Sequence, residues 1–383
     1  VLDKRWQTCR TVALWLNITK MTITIFKAYK TKLTLNNAEM SYLLGCAGFA
    51  RFVFNWGLAE WKRQYEAGEK PSAYGLKKQF NAIKDEQFPW TREYPYAIEQ
   101  ESFDHLGKAF QNFFRRVKKG EKGYPKFKSR RDMIKFSVRG NISVEPNRVK
   151  LPVVGWVRLV ESNYLPTNGV KILSANISKQ VDDWFISLQV EEATIEPEKA
   201  TGEVVGVDMG IKSLAVCSDG TVFENRKTLY RHEKKLAYLQ RELSRRKKGS
   251  HNREKTRAKL ARLHQKVANI RENTLHTISR HVTAKTKPSV VVIEDLNVAG
   301  MLENVHLSKA ISDASMGELR RQIEYKAKWN GVDVLVADRW FPSSKLCSRC
   351  GAIKETLSLS ERVYVCECGN VIDRDLNAAL HLA

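Results

Sequence analysis

The chain has 383 residues and carries 65 Lys+Arg against 42 Asp+Glu, a net charge of +23. That length predicts two or three structural units, and 43% hydrophobic with 9% aromatic residues supplies their cores and excludes global disorder. No run of about 18 apolar residues occurs, which excludes a membrane-spanning helix, while the positive surplus calls for a polyanionic partner, nucleic acid before an anionic membrane surface.

Residues 1–20 hold only a short apolar stretch, Val12–Leu16, and no small-residue cleavage site, so they are not a signal peptide. We read them as a non-native or upstream extension, with Met21 as the start. From Met21 to Leu35, Ile23, Ile25, Leu33 and Leu35 alternate with Thr22, Thr24 and Thr34, which predicts one strand with an interruption near Ala28. Asn36 or Asn37 caps a helix that runs to about Tyr65, with Leu43, Ala47, Ala50, Val53, Phe54, Leu58 and Trp61 on one face. A second helix is predicted over Ile98–Val117, its apolar face broken by Gln100, His105 and Gln111.

Residues 115–135 hold ten Lys/Arg against two acids around Gly120, Gly123 and Pro125, with Tyr124 and Phe127 between the cations. The pattern reads as a phosphate-contacting loop whose aromatics stack on bases or anchor the loop. Short alternating stretches then follow from Phe136 to Leu188, and their number and spacing predict a small β-barrel. Glu191–Gly202 reads as a linker. Beyond it, Val204–Val207 is a buried-type strand ending at Asp208, Ser213–Cys217 returns, and Asp219-Gly220 turns into Thr221–Phe223. Residues 226–266, with sixteen Lys/Arg against three acids, predict two basic helices broken near Gly249-Ser250. Val290–Ile293 is a second buried strand, ending at Glu294; a helix over Ala314–Trp329 leads to the strand Asp333–Ala337, and a last helix covers Asp373–Leu382. Hairpin strands followed by strand–helix alternation give a mixed α/β, multidomain chain.

Asp208 and Glu294 each end an almost wholly apolar strand, where ligand-facing groups gather, and Asp375 opens the final helix. Any one of them alone reads equally as a solvated strand end or a helix cap. All three together in a +23 chain point to a hard divalent cation, Mg²⁺ or Mn²⁺, which removes the repulsion among clustered carboxylates; two such ions can hydrolyse a phosphodiester. Strand alternation lets only one of Glu294 and Asp295 face the site, and spacing alone leaves both Asp373 and Asp375 open as the third ligand. Cys347, Cys350, Cys366 and Cys368 form C-x-x-C and C-x-C with fifteen residues between. Two such knuckles predict a closed tetrahedral, structural Zn²⁺ site and, with Cys9, Cys46 and Cys217 scattered in apolar surroundings, a reducing, cytoplasmic setting.

The stretches Gly206-Val-Asp208-Met-Gly210-Ile-Lys212, Val292-Ile-Glu294-Asp-Leu-Asn297, Ser343-Ser-Lys-Leu-Cys347-Ser-Arg-Cys350-Gly351 and Asp373-Arg-Asp375-Leu-Asn-Ala-Ala379 resemble those of TnpB, the accessory protein of bacterial insertion sequences. Gly45-Cys-Ala-Gly-Phe-Ala-Arg51-Phe-Val-Phe-Asn55-Trp56 and Gly123-Tyr-Pro-Lys-Phe-Lys128 resemble its N-terminal motifs. The likeness covers about 21–383 in order; residues 1–20 do not fit it. It implies a β-barrel wedge domain (21–35 and 130–192) with an inserted helical recognition domain (36–129), a linker (193–202), and an RNase H-like (RuvC) nuclease domain (203–342 and 370–383) with a zinc finger (343–369). It further implies an RNA-guided endonuclease of double-stranded DNA in a bacterial or archaeal cell, a monomer with a guide RNA transcribed from the element's own end, linked to a separate single-strand transposase. Asp208, Glu294 and Asp375 match its three metal-binding acids, and the four cysteines its zinc ligands. Nucleic-acid contacts are expected at Arg51, Asn55, Tyr124, Lys126, Phe127, Lys128 and Arg130, and at Arg245, Arg246, Lys247 and Lys248. The alternative is a nuclease-silent, RNA-guided DNA-binding repressor, against which three intact acids argue. Against a direct transposase, this sequence shows no nucleophilic Tyr or His-x-His pair of a single-strand transposase, and a guide-free junction resolvase would not need the recognition helices.

Overall fold

Alternating Thr and apolar residues make Thr22–Thr34 (β1) one unbroken 13-residue strand in the computed structural model, which describes residues 22–130, 132–358 and 361–383. The predicted interruption at Ala28 is absent: Ala28 pairs with Gln189, because the partner strand is equally long. The predicted start and the extension before it lie outside the described residues.

Asn37–Glu66 (α1) begins at a reciprocal cap, in which the Asn36 side chain accepts the Glu39 N–H and Glu39 accepts the Asn36 N–H, each at 2.8 Å. Ala73–Gln87 (α2), capped by Ser72, is a helix the sequence reading passed over. Tyr96–Val117 (α3) follows a 3₁₀ turn at Pro89–Glu93. Buried Ile98, Phe103, Leu106 and Phe110 pack α3 against α1, with Trp61 stacked on Phe110 at 3.9 Å. The strands Lys135–Val138 (β2), Ser143–Glu145 (β3), Arg148–Leu151 (β4), Gly155–Leu159 (β5), Val170–Gln180 (β6) and Asp183–Ile195 (β7) join β1 in one antiparallel sheet, ordered β2-β6-β7-β1-β5-β4-β3. Where a linker was expected, β7 continues to Ile195: its acidic end lies beside β1, and Glu192 pairs with Lys27 at 3.0 Å. Beyond Ile195, 196–201 holds no helix or strand, so the expected linker begins a few residues later than its acidic start.

The chain divides at Ile195/Glu196 into two compact units. In the second, Val205–Asp208 (β8), Ser213–Cys217 (β9) and Val222–Glu224 (β10) form an antiparallel meander. Thr228–Arg245 (α4) and His251–Arg280 (α5) form a helical hairpin joined through Leu236, Leu239 and Leu263, broken where predicted, at Gly249 with φ +84°. Val290–Glu294 (β11) returns parallel to β8. Val298–Leu302 (α6), Ser308–Ala314 (α7) and Met316–Trp329 (α8) lead to Asp333–Ala337 (β12), parallel to β11. The five-stranded order is β10-β9-β8-β11-β12. Its core joins Val207, Val291 and Ile293 to Leu275 and Ile278 of α5 and to Leu319 and Ile323 of α8. After the hairpin Val363–Val365 (β13) and Val371–Asp373 (β14), Arg374–Leu382 (α9) packs directly on β8. Only glycine permits this approach, since a Cβ on Gly206 would stand 2.1 Å from the Ala379 carbonyl oxygen.

Candidate active site and metal centre

β8 and β11 run side by side with Val207 level with Ile293, so their next residues, Asp208 and Glu294, end neighbouring parallel strands. Asp375 comes from the first turn of α9, the helix held against β8 at Gly206. All three line one cleft of about 630 Å³. The Asp208 carboxyl is pushed up to about 7, first by burial and then by the charges of Glu294 and Asp375, with Arg374 opposing. Buried Ser343 donates to Glu294 Oε1 at 2.6 Å. Lys212, Lys227, Arg362 and Arg374 line the same cleft. The arrangement is an acid cluster inside a cationic rim, suited to a polyanion held across divalent cations. Carboxylates whose mutual repulsion a divalent ion would relieve are the donor type that Mg²⁺ or Mn²⁺ takes, but among the described residues only the four cysteines below bring their ligand atoms within 4.8 Å of one another.

The neighbouring acids are committed elsewhere. Asp295 pairs with Arg339 at 2.6 Å and Arg320 at 3.1 Å, and these guanidinium groups hold its carboxyl below the usual range. Asp373 caps α9, accepting the N–H groups of Asp375 at 2.9 Å and Leu376 at 3.2 Å, and pairs with Lys212 at 3.8 Å.

The four sulfurs of Cys347, Cys350, Cys366 and Cys368 all lie within 4.8 Å of one another, with Cys347–Cys368 and Cys350–Cys366 at 3.6 Å. A zinc tetrahedron with bonds of about 2.3 Å has edges of roughly 3.8 Å, so the set fits Zn²⁺. Buried Tyr364 braces the knuckles by donating to the Lys345 carbonyl at 3.0 Å. Asn377, fully buried on α9, donates to the Leu346 carbonyl at 2.6 Å and accepts the Ser348 N–H at 3.0 Å. The cysteine site is thereby tied to the helix that carries Asp375.

The predicted nucleic-acid contacts divide. Asn55 spends both polar atoms on the backbone of Lys128, at 2.8 Å each, and the Lys128 ammonium sits 3.7 Å over Phe54, its pKa brought down to about 8 by burial and then by Lys135. Tyr124 meets Phe113 and Phe110 edge-on, so it anchors the loop while staying half exposed. Lys126, Phe127 and Arg130 are exposed, and Arg51 is partly buried on α1. Arg246 is tied to Glu242 and to the Asn252 carbonyl, pinning the α4–α5 turn, whereas Arg245, Lys247 and Lys248 are exposed. Ser343, Lys212, Lys227, Arg362 and Arg374 line the cleft beyond the expected site residues; the signals are the motifs holding Ser343, Lys212 and Arg374 and the basic segment holding Lys227, while Arg362 carries none.

Residues 187–305 match a family model described as "Probable transposase", 317–382 one described as "Cas12f1-like, TNB domain", and 21–70 a "Helix-turn-helix domain". A Streptomyces pristinaespiralis protein named "Putative RNA-guided DNA endonuclease" is 36% identical over 360 residues, covering 90% of this chain and 85% of the relative. "Putative RNA-guided DNA endonuclease InsQ" of Escherichia coli K12 is 33% identical, covering 93% and 91%. Among solved structures, a chain of a Cas12f1–sgRNA–target DNA complex superposes with TM-score 0.59 at 14% identity, covering 94% of this chain and 98% of that one, a likeness of fold. No helix among the described residues is long and apolar enough to cross a membrane.

Proposed function

Because the chain belongs to the TnpB family, we propose that it is an RNA-guided endonuclease that cuts double-stranded DNA at Asp208, Glu294 and Asp375. The observation that carries the site is the convergence of these acids, from distant parts of the sequence, on one cation-rimmed cleft, with Asp208 raised to about 7 by its surroundings. On this reading 203–342 and 370–383 form the RuvC-like nuclease domain and 343–369 its zinc finger. Residues 21–35 and 130–192 form the wedge barrel and 36–129 the helical recognition domain. Guide pairing selects the sequence, and protein cations hold the heteroduplex by its backbone.

Asp208, Glu294 and Asp375 would hold Mg²⁺ or Mn²⁺, which supplies water activation and neutralises charge on the leaving oxygen. Ser343 fixes the Glu294 carboxylate by its hydrogen bond. Arg374, beside the acids, offsets their repulsion and meets the phosphate chain together with Lys212 and Arg362. Asn377 keeps Asp375 in place through the zinc knuckle. The guide RNA comes from the element's own end, and the protein works as a monomer with it in the cytoplasm, beside the nucleoid, alongside a separate single-strand transposase. The test is cleavage of a plasmid by purified protein with its RNA, before and after the guide segment is rewritten. The cut should follow the guide and require Mg²⁺ or Mn²⁺. A cut that ignores the guide would point to a guide-free resolvase, and guided binding without any cut to a repressor.

A further inference from the structure

Beside the carboxylate cleft lies a second cavity, of about 440 Å³. Leu229 and Tyr230 at the start of α4, Ala310 of α7, and Ile211 contribute to its wall. Ile211 and Lys227 line both cavities, so the two adjoin. The wall is braced from within. Asp313 accepts the Leu229 N–H at 3.0 Å and Arg271 at 2.7 Å; Asn225 donates to the Ile211 carbonyl at 2.7 Å and accepts the Lys227 N–H at 2.8 Å; Glu233 pairs with Lys309. With those polar groups engaged, what faces a ligand is the apolar surface of Ile211, Leu229 and Ala310, the exposed Tyr230, and the His306 and Lys227 side chains at the edge of the lining.

A strand laid across the three acids brings one base with every phosphate, and the base beside the scissile phosphate needs a seat next to the carboxylate cleft. We infer that this cavity receives it: a nucleobase of the cut strand seats against Leu229, Ile211 and Ala310, Tyr230 stacks on it, and Lys227 meets the intervening phosphate. The inference rests on the nuclease reading above. A braced, largely apolar hollow of this size suits a flat heterocycle. Stacking accepts any base, as befits an enzyme whose sequence choice is made by pairing elsewhere.

The test uses the protein with its guide RNA and a labelled matching duplex, intact or carrying one abasic residue placed in turn on either side of the cut. For the parent, one flanking abasic position should slow cleavage about tenfold, the scale of one lost base contact. Ala310→Phe, which fills the cavity, and Tyr230→Ala, at an exposed ring, should each slow cleavage of the intact duplex about tenfold with target binding unchanged, and should show no further loss at that abasic position. If Ala310→Phe melts early, Tyr230→Ala carries the test. A parent that cuts but is indifferent to every abasic position, or a Tyr230→Ala protein that cuts as the parent does, overturns the cavity assignment alone. A parent that cuts no guided DNA overturns the nuclease reading and this inference with it.

Discussion

Asp208 has a folded-state pKa of about 7 against an ordinary value of 3.8. Between those values the folded chain holds a proton that the unfolded chain has released, so this group favours folding at low pH and loses that contribution as pH rises through about 7. In chelator, Asp208→Asn should therefore be more stable than the parent by up to about 4 kcal/mol at pH 8, with the gap closing toward pH 4, as read from urea midpoints. Added Mg²⁺ should stabilise the parent and not the variant; equal midpoints at pH 8 would contradict the assigned repulsion. Asp373 behaves differently, because its carboxylate serves as a helix cap. Asp373→Ala should cost about 1 kcal/mol of stability while guided cleavage survives. Loss of cleavage in Asp373→Ala at unchanged stability would move the third ligand from Asp375 to Asp373.

Elements with one dominant signal are legible in the sequence. The apolar runs before Asp208 and Glu294 read as buried strands, and the structure pairs them in parallel. The helices on either side of Gly249 follow from leucine spacing. The helix α2 escapes, because its buried contacts are only Leu76 and Phe80 within a polar stretch, with Ser72 as its one cap signal. The end of β7 escapes because Glu192 is matched by Lys27 of β1 and Glu191 by Lys171 of β6, pairings that only the fold reveals. At the site, Asp208 and Glu294 are visible as strand ends and Asp375 as the opening of a helix, but what favours Glu294 over Asp295 is the pairing of Asp295 with Arg320 and Arg339, and what favours Asp375 over Asp373 is the cap hydrogen bonds of Asp373. The cysteine site and α9 form one mechanical element through Asn377. Stripping zinc with a strong chelator and then restoring Mg²⁺ should expose the amides of 343–369 and of α9 together in hydrogen exchange, and should abolish cleavage. Protection retained in α9 would show that the finger does not position Asp375.

Over the whole chain, a surplus of +23 is large beside three acids gathered in one cleft. On the proposed reading that surplus serves nucleic acid, and the cleft is where negative charge is set aside for divalent cations. Affinity for its RNA should fall by about 10³-fold or more between roughly 50 and 200 mM salt, measured by filter binding; a flat dependence would mean that the basic segments only solubilise the protein. Guided cleavage and target binding, measured in the same samples for Asp208→Asn, Glu294→Gln and Asp375→Asn, test most directly whether these acids cut DNA. Each should bind the target as the parent does and cut it at least about 10³-fold more slowly, as expected when a group that holds the reacting phosphate's cations is lost. Parental cutting by any of the three, or a loss of cutting no larger than a matching loss of binding, would contradict that role.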